Sequence, residues 1–370
     1  MKRYNWAGRC PWLAVILILG LSLSLLLAGC SQEGSGPTPS DNSHQQTITI
    51  TDCVGRQVTI PTNPQRIACL CPESGHAVAM FGQGDKIVAA VGGMQRDVIL
   101  VEMHPHIKNV SVPKSSGVIN IEELAACKPD IVFVKGDTAR NEAEVDKMDK
   151  MGIPFLVVEF NSMQEQQKAM AMIGQAVGAA EKAEKYNKYY QQCVDQVAKK
   201  VADIPEKDRV RIFHSVNEAI RTDTAGSLPA DWTQAAGAIN VSVGKELKLY
   251  EGKNYASLEQ ILLWDPDFIL VNDPNVVGYI MDHEQWAPLK AVKNKRVLPL
   301  PNGISRWGHF SSLETPLAVM WTAQTIYPDK FADLDMAAET KYFYQEFFNL
   351  DLSDETVQKI LSGVGMRESK

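Results

Sequence analysis

Polar and apolar residues first alternate at Thr47-Ile48-Thr49-Ile50-Thr51, turn through Asp52 to Gly55, and alternate again at Gln57-Val58-Thr59-Ile60 before Pro61. The period of two predicts a hairpin. Short apolar runs of strand length then alternate with helically spaced stretches, at Arg66 to Leu70, Lys86 to Val91, Asp130 to Val134 and Pro154 to Val158. That rhythm predicts parallel strands joined by crossover helices. A second series occupies Val210 to Val216, Phe268 to Val271 and Arg296 to Leu300, closed by a helical run near Glu314 to Ile326. Between the two series, Met170, Ile173, Val177, Tyr186, Tyr190, Val194, Val197 and Val201 keep helical spacing. A continuous helix over Gln164 to Val201 is about 55 Å long and joins two lobes as one stiff connector. Such a connector favours modest rocking over wide closure, with Gly174 and Gly178 as places for a bend or close packing.

One segment occurs twice. Asn120-Ile121-Glu122-Glu123-Leu124 through Lys128-Pro129-Asp130-Ile131-Val132-Phe133-Val134 returns, offset by 137 residues, as Ser257-Leu258-Glu259-Gln260-Ile261 through Asp265-Pro266-Asp267-Phe268-Ile269-Leu270-Val271. Each copy predicts a capped helix, a proline stop and a buried strand. Asn120 and Ser257 suit the N-cap, and Glu123 and Gln260 suit a capping box. Glu122 and Glu259 are left over. A carboxylate in a first helical turn gains from the helix dipole, which accounts for either glutamate alone but less well for a matched pair.

Lys2, Arg3 and Arg9 precede an uncharged run from Pro11 to Gly29 that ends Leu27-Ala28-Gly29-Cys30, and a polar stretch follows. This is the layout of a signal peptide, residues 1–29, with residues 30–46 as a flexible tether; an uncleaved membrane anchor is the alternative. Both readings put the remainder outside the cytoplasm. Removing residues 1–29 shifts the formal charge from −7 to −10. With no basic tract or basic-aromatic interleaving, nucleic acid is not an expected partner. Cys53, Cys69, Cys71, Cys127 and Cys193 are too odd a set for a complete disulfide framework. Cys69 and Cys71 read first as buried thiols, then as a soft metal site or a disulfide.

The hairpin, Asn63-Pro64-Gln65-Arg66-Ile67, Phe81 to Val88, the two repeated segments, Gly152-Ile153-Pro154 and Ala291 to Val297 together resemble, in order, substrate-binding proteins of the siderophore, haem and cobalamin ABC importers. The likeness runs from Thr47 to about Tyr327, behind a segment similar to a bacterial lipobox. It implies acylation of Cys30 and a lipid anchor on the extracytoplasmic face of the cell membrane. It implies an α/β fold of two Rossmann-like lobes with parallel central sheets, one long interdomain helix and a ligand cleft between the lobes. The corresponding division is 47–163 and 203–327 for the lobes, 164–202 for the linking helix and 328–370 for a C-terminal helical extension. In this family one glutamate per lobe meets arginines of the permease dimer, and Glu122 and Glu259 match those positions. The extension resembles longer members, whose ligands include iron chelates and, in some relatives, oxyanions such as molybdate.

Cleft contacts are then expected from loops after strands. Arg96 and Arg306 suit an anionic ligand; Trp232, Tyr279 and Trp307 suit a planar macrocycle; His76 and His309 are candidate metal-facing or structural imidazoles. Trp307 and Phe310 as anchors of the closing helix, with a solvated Arg306, is the plainer alternative. His104-Pro105-His106 cannot ligate at helical i, i+4 spacing and reads as a surface turn. The chain shows no nucleophile elbow, His-Glu-x-x-His motif, phosphate loop or dinucleotide fingerprint. The expected function is a monomeric receptor that presents a metal chelate, with a ferric siderophore ahead of haem or a corrinoid, to an ABC permease. No catalytic residue, cofactor or dedicated metal site is expected. An oxyanion receptor on the same scaffold is the alternative, and a secreted enzyme or adhesion accessory the third reading.

Overall fold

The apolar runs form strands buried on both faces, as a parallel sheet covered by helices requires. The computed structural model describes residues 46–368. The expected signal peptide and Cys30 lie outside the described residues. The hairpin pairs Thr47–Thr51 with Gln57–Pro61, Ile48 opposite Ile60. The first lobe's sheet orders its parallel strands Ile87–Ala90, Ile67–Cys69, Ile131–Lys135 and Phe155–Val158. The second lobe repeats that order with Ile239–Asn240, Arg211–Ser215, Phe268–Val271 and Val297–Pro299. Ile239–Asn240 was not legible as a strand, because two residues carry no periodicity. In each sheet the crossovers diverge on either side of the first strand, which opens a crevice at the C-terminal strand ends.

The repeated segment builds the same joint in both lobes. Helices Ile121–Ala126 and Leu258–Trp264 end shortly before Pro129 and Pro266, through Lys128 and Asp265 in the left-handed region at φ 45° and 43°. The next aspartate accepts from backbone at the start of the lobe's first strand: Gln65 N and Arg66 N, just ahead of it, donate to Asp130 Oδ2 at 2.6 and 2.9 Å, and Arg211 N donates to Asp267 Oδ2 at 3.0 Å. The arginine there donates back to the end of the helix, Arg66 Nη2 to Cys127 O at 2.6 Å and Arg211 Nη2 to Trp264 O at 2.9 Å. The caps differ. Ser257 and Gln260 complete a reciprocal box, whereas Glu123 turns away from Asn120 to accept from Ser111 Oγ, leaving half a box in the first lobe.

The expected continuous connector is corrected. It breaks at Gly178, φ 72°, into antiparallel helices Met163–Ala176 and Ala180–Val201, with Gly174 packed on Ala183. Helical spacing survives across the break, which is why periodicity missed it. Ala180–Val201 runs from one lobe to the other: Lys182 Nζ donates to Phe81 O at 3.2 Å near its start, and Val201 packs on Gly237 at its end. Helices Met336–Phe348 and Asp354–Leu361 follow, and Phe343 and Phe347 pack on Tyr186 and Tyr189. One buried cluster therefore contains Phe133 and Leu270 from the two sheets together with Tyr186 and Phe343. The lobes share a core along their back.

Asp130→Ala and Asp267→Ala should each lower unfolding stability by about 1–2 kcal/mol, because each removes a charged acceptor from a strand amide. Urea denaturation measures this, and wild-type midpoints in both variants would contradict the role of the joint.

Candidate functional site

Loops leaving the strand ends meet at a cavity of about 500 Å³. The first lobe contributes Arg96, after strand Ile87–Ala90; the second contributes Asn217, Asn272 with Asp273, and Asn302 with Arg306, each after a different strand. The tail beyond the last helix adds Arg367 and Glu368. Among the described residues, none that lines the cavity is aromatic.

The loop carrying Arg306 is held from beneath. Buried Glu314 accepts from Ile304 N and Ser305 N, both at 3.0 Å, from Ser305 Oγ at 2.6 Å and from the Tyr344 hydroxyl. Burial pushes the Glu314 carboxyl up, opposed by the Ser305 and Tyr344 hydroxyls that hydrogen-bond it. A Cβ at Gly303 would collide with both the Tyr344 hydroxyl and the Glu314 carboxylate. The sequence therefore has glycine where the loop crosses its support.

Arg306 Nη1 donates to Asn217 Oδ1, and Asn217 adopts φ 65°. Burial, with Arg367 and then Arg96 as like charges, brings the Arg306 guanidinium down to about 10, while Asp273 and Asp97 oppose the shift. Three arginines face two lining carboxylates, Asp273 and Glu368, and Glu368 is paired with Lys108. An anion with oxygen acceptors satisfies this arrangement. Asn272 Nδ2 donates to Trp307 O at 2.9 Å, while buried Asn272 Oδ1 and Trp307 Nε1 lack a partner among the described residues.

The structure separates the other residues expected at the cleft. Trp232 is buried under the loop and donates from Nε1 to Gly308 O at 2.9 Å; at φ 71°, Gly308 leaves no room for a Cβ above the indole. Trp307 is likewise buried, so both indoles support the loop and neither lines the cavity. Tyr279 is exposed beside His283 and Trp286, also outside the cavity lining. His76 is buried in helix Pro72–Met80, its Nε2 2.9 Å from Asp97 Oδ2. His309 is half-buried, with Nδ1 3.1 Å from Ser311 Oγ and its ring tilted against Phe310. Burial, then Arg306 and Lys135, depress His309 well below its ordinary value, so it adds no cation at neutral pH. Among the described residues no group of three or more His, Cys, Asp or Glu could hold a metal ion. Buried Cys69 and Cys71 are unpaired thiols among the described residues.

Arg367 was missed. It lies six residues past the last helix, where a lone arginine near a chain end carries no pattern; only the glycines at 363 and 365 mark an end to the helix.

Glu122 and Glu259 stand exposed in the first turns of their helices. The backbone amide of its own helix end, then the Ser257 hydroxyl, holds Glu259 below the usual carboxylate range.

Residues 67–303 match the model of the periplasmic binding protein family, and the chain belongs to that family. It is 26% identical to the molybdate-binding protein MolA of Haemophilus influenzae, over 81% of this chain and 90% of that protein. It is 23% identical to an iron(3+)-hydroxamate-binding protein of Bacillus subtilis, over 76% and 88%. The fold matches molybdate-bound MolA with a TM-score of 0.74 at 24% identity, covering 83% of this chain and 99% of that one. It matches nickel-bound CeuE of Helicobacter pylori with a TM-score of 0.70 at 22% identity, covering 85% and 99%. The chain is thus a substrate-binding protein of an ABC importer, not an enzyme, and such proteins work outside the cytoplasm.

Because the folded-state value of His309 is depressed, its contribution is present above pH 6.5 and is lost as pH falls below it. His309→Asn should therefore lose less stability than wild type on going from pH 7 to below 6.5, measured by urea denaturation at both pH values. Equal losses would contradict a neutral, desolvated His309.

Proposed function

We propose that the chain captures a compact, oxygen-rich metal anion of the molybdate or tungstate type and delivers it to an ABC permease. The observation that carries this reading is the convergence of Arg96, Arg306 and Arg367, from three separate segments, on a wall without aromatic side chains. Guanidinium forks suit anionic oxygens, and the lining asparagines add donors that suit an oxyanion or its water shell. A haem or corrinoid finds no stacking surface there. The similarity to a molybdate-binding protein over most of both chains supports the same reading. A compact ferric chelate is the second reading. The cavity volume of about 500 Å³ favours it, since pockets for organic ligands span roughly 300–1,000 Å³.

Delivery runs through Glu122 and Glu259. Each tops a helix that runs antiparallel to the strand it feeds, so both lie on the rim where the strands end and the cleft opens. Two equivalent carboxylates suit a permease dimer with twofold-related basic pockets. An acylated Cys30 and a monomeric receptor complete the proposal, with residues 47–163 and 203–327 moving as modest rocking units.

Calorimetry with molybdate, tungstate, a ferric hydroxamate, haem and cobalamin tests the cargo. Oxyanion binding that weakens roughly tenfold or more in Arg96→Ala and Arg306→Ala is expected, the worth of a charge-assisted hydrogen bond. Tight binding of haem or cobalamin alone would overturn the reading. Replacing both Glu122 and Glu259 by Ala should leave affinity intact and slow uptake at least about tenfold, as losing buried partners of two basic pockets implies. Wild-type uptake would refute their role.

A further inference from the structure

The chain leaves its last helix after Leu361 and turns at Gly363, φ 73°, where an added Cβ would lie 2.5 Å from Leu300 O of the second lobe. From that anchor it crosses to the first lobe. Val98 N donates to Met366 O at 3.4 Å, Glu368 N donates to Arg96 O at 3.0 Å, and Arg367 pairs antiparallel with Asp97. Val98 begins the helix Val98–Met103, so its amide lacks an intrahelical partner and the tail supplies one. Met366 is buried, and Glu368 pairs with Lys108. The segment is a strap spanning both lobes beside the cavity.

Arg367 is the strap's charged group and it is fixed on two sides. Nη2 donates to Gly93 O at 3.0 Å, and Nη1 donates to Asp97 Oδ1. The other oxygen of buried Asp97 meets His76 Nε2 at 2.9 Å. A guanidinium has five N–H donors, so several are left over on a group that lines the cavity.

We infer that Arg367 is a ligand-binding residue, that residues 363–368 complete the wall of the anion site, and that Asp97 and His76 are positioning residues behind it. This rests on the anion reading of the cavity. A ligand held by Arg96, Arg306 and Arg367 touches the first lobe, the second lobe and the strap together, so binding selects the strapped arrangement. Lysine in place of Arg367 keeps the charge but loses the fork that answers Asp97, Gly93 and a ligand oxygen at once.

The test compares the full chain with Arg367→Ala, Arg367→Lys and a chain ending at Gly363. Each is titrated with sodium molybdate and with a ferric hydroxamate, and amide hydrogen exchange at Val98 is followed without ligand. The alanine and shortened forms should bind whichever probe the full chain takes roughly 10- to 100-fold more weakly, the span of one charge-assisted hydrogen bond, and lysine should not restore wild-type affinity. Val98 should exchange faster in the shortened chain, with an unchanged far-ultraviolet spectrum. Wild-type affinity in both the alanine and shortened forms would overturn the inference while leaving the cavity reading intact. If the full chain binds neither probe, the anion reading falls and the ligand role of Arg367 with it; unchanged Val98 exchange would overturn the strap in either case.

Discussion

Both lobes are held in register by one exchange of hydrogen bonds, in which an aspartate after a left-handed turn accepts at the start of the first strand and an arginine there donates to the preceding helix. Arg66 with Asp130 and Arg211 with Asp267 fix where two central strands begin. A strand fixed at its start has a fixed end, and the strand ends carry the loops of the cleft. The same exchange seats the helices bearing Glu122 and Glu259 at equal places in the two lobes. Ordinary backbone satisfaction thus sets the geometry of both the rim and the site.

On this frame the cavity is assembled by convergence. No single loop contains the site: Arg96 comes from one lobe, Arg306 from the other and Arg367 from the tail. The loop of Arg306 is held in place because Glu314, Tyr344, Trp232 and Asn272 hydrogen-bond its backbone. Preorganised donors lose little freedom when a ligand arrives, and three like charges drawn together in a half-buried place favour an anion. The shared core behind the lobes, running through Tyr186 and Phe343, limits how far they separate.

Where residues repeat with a period or at a constant offset, the fold could be read from the chain. The hairpin, the main strands and the repeated joint show this, and Arg96 and Arg306 were legible as long cationic side chains in loops after strands. Other features depended on single residues whose meaning is tertiary. Gly178 breaks a helix whose apolar spacing continues unbroken, and Glu123 leaves its cap because Ser111 lies nearby. Trp232 and Trp307 have the right chemistry for a macrocycle, but the loop uses their bulk from below; side-chain type does not reveal which face of a loop it serves. Arg367 sits in a segment with no periodicity, and only the contact with Asp97 gives it a place.

The proposed seat of an oxygen-rich metal anion among the three arginines can be seen or refuted by crystallography of the chain grown with molybdate and recorded at the molybdenum absorption edge. An anomalous peak is expected in the cavity, within hydrogen-bonding reach, through its oxygens, of Arg96, Arg306 and Arg367. A peak elsewhere, such as against the exposed Tyr279 and His283, with the cavity holding only water, would contradict it.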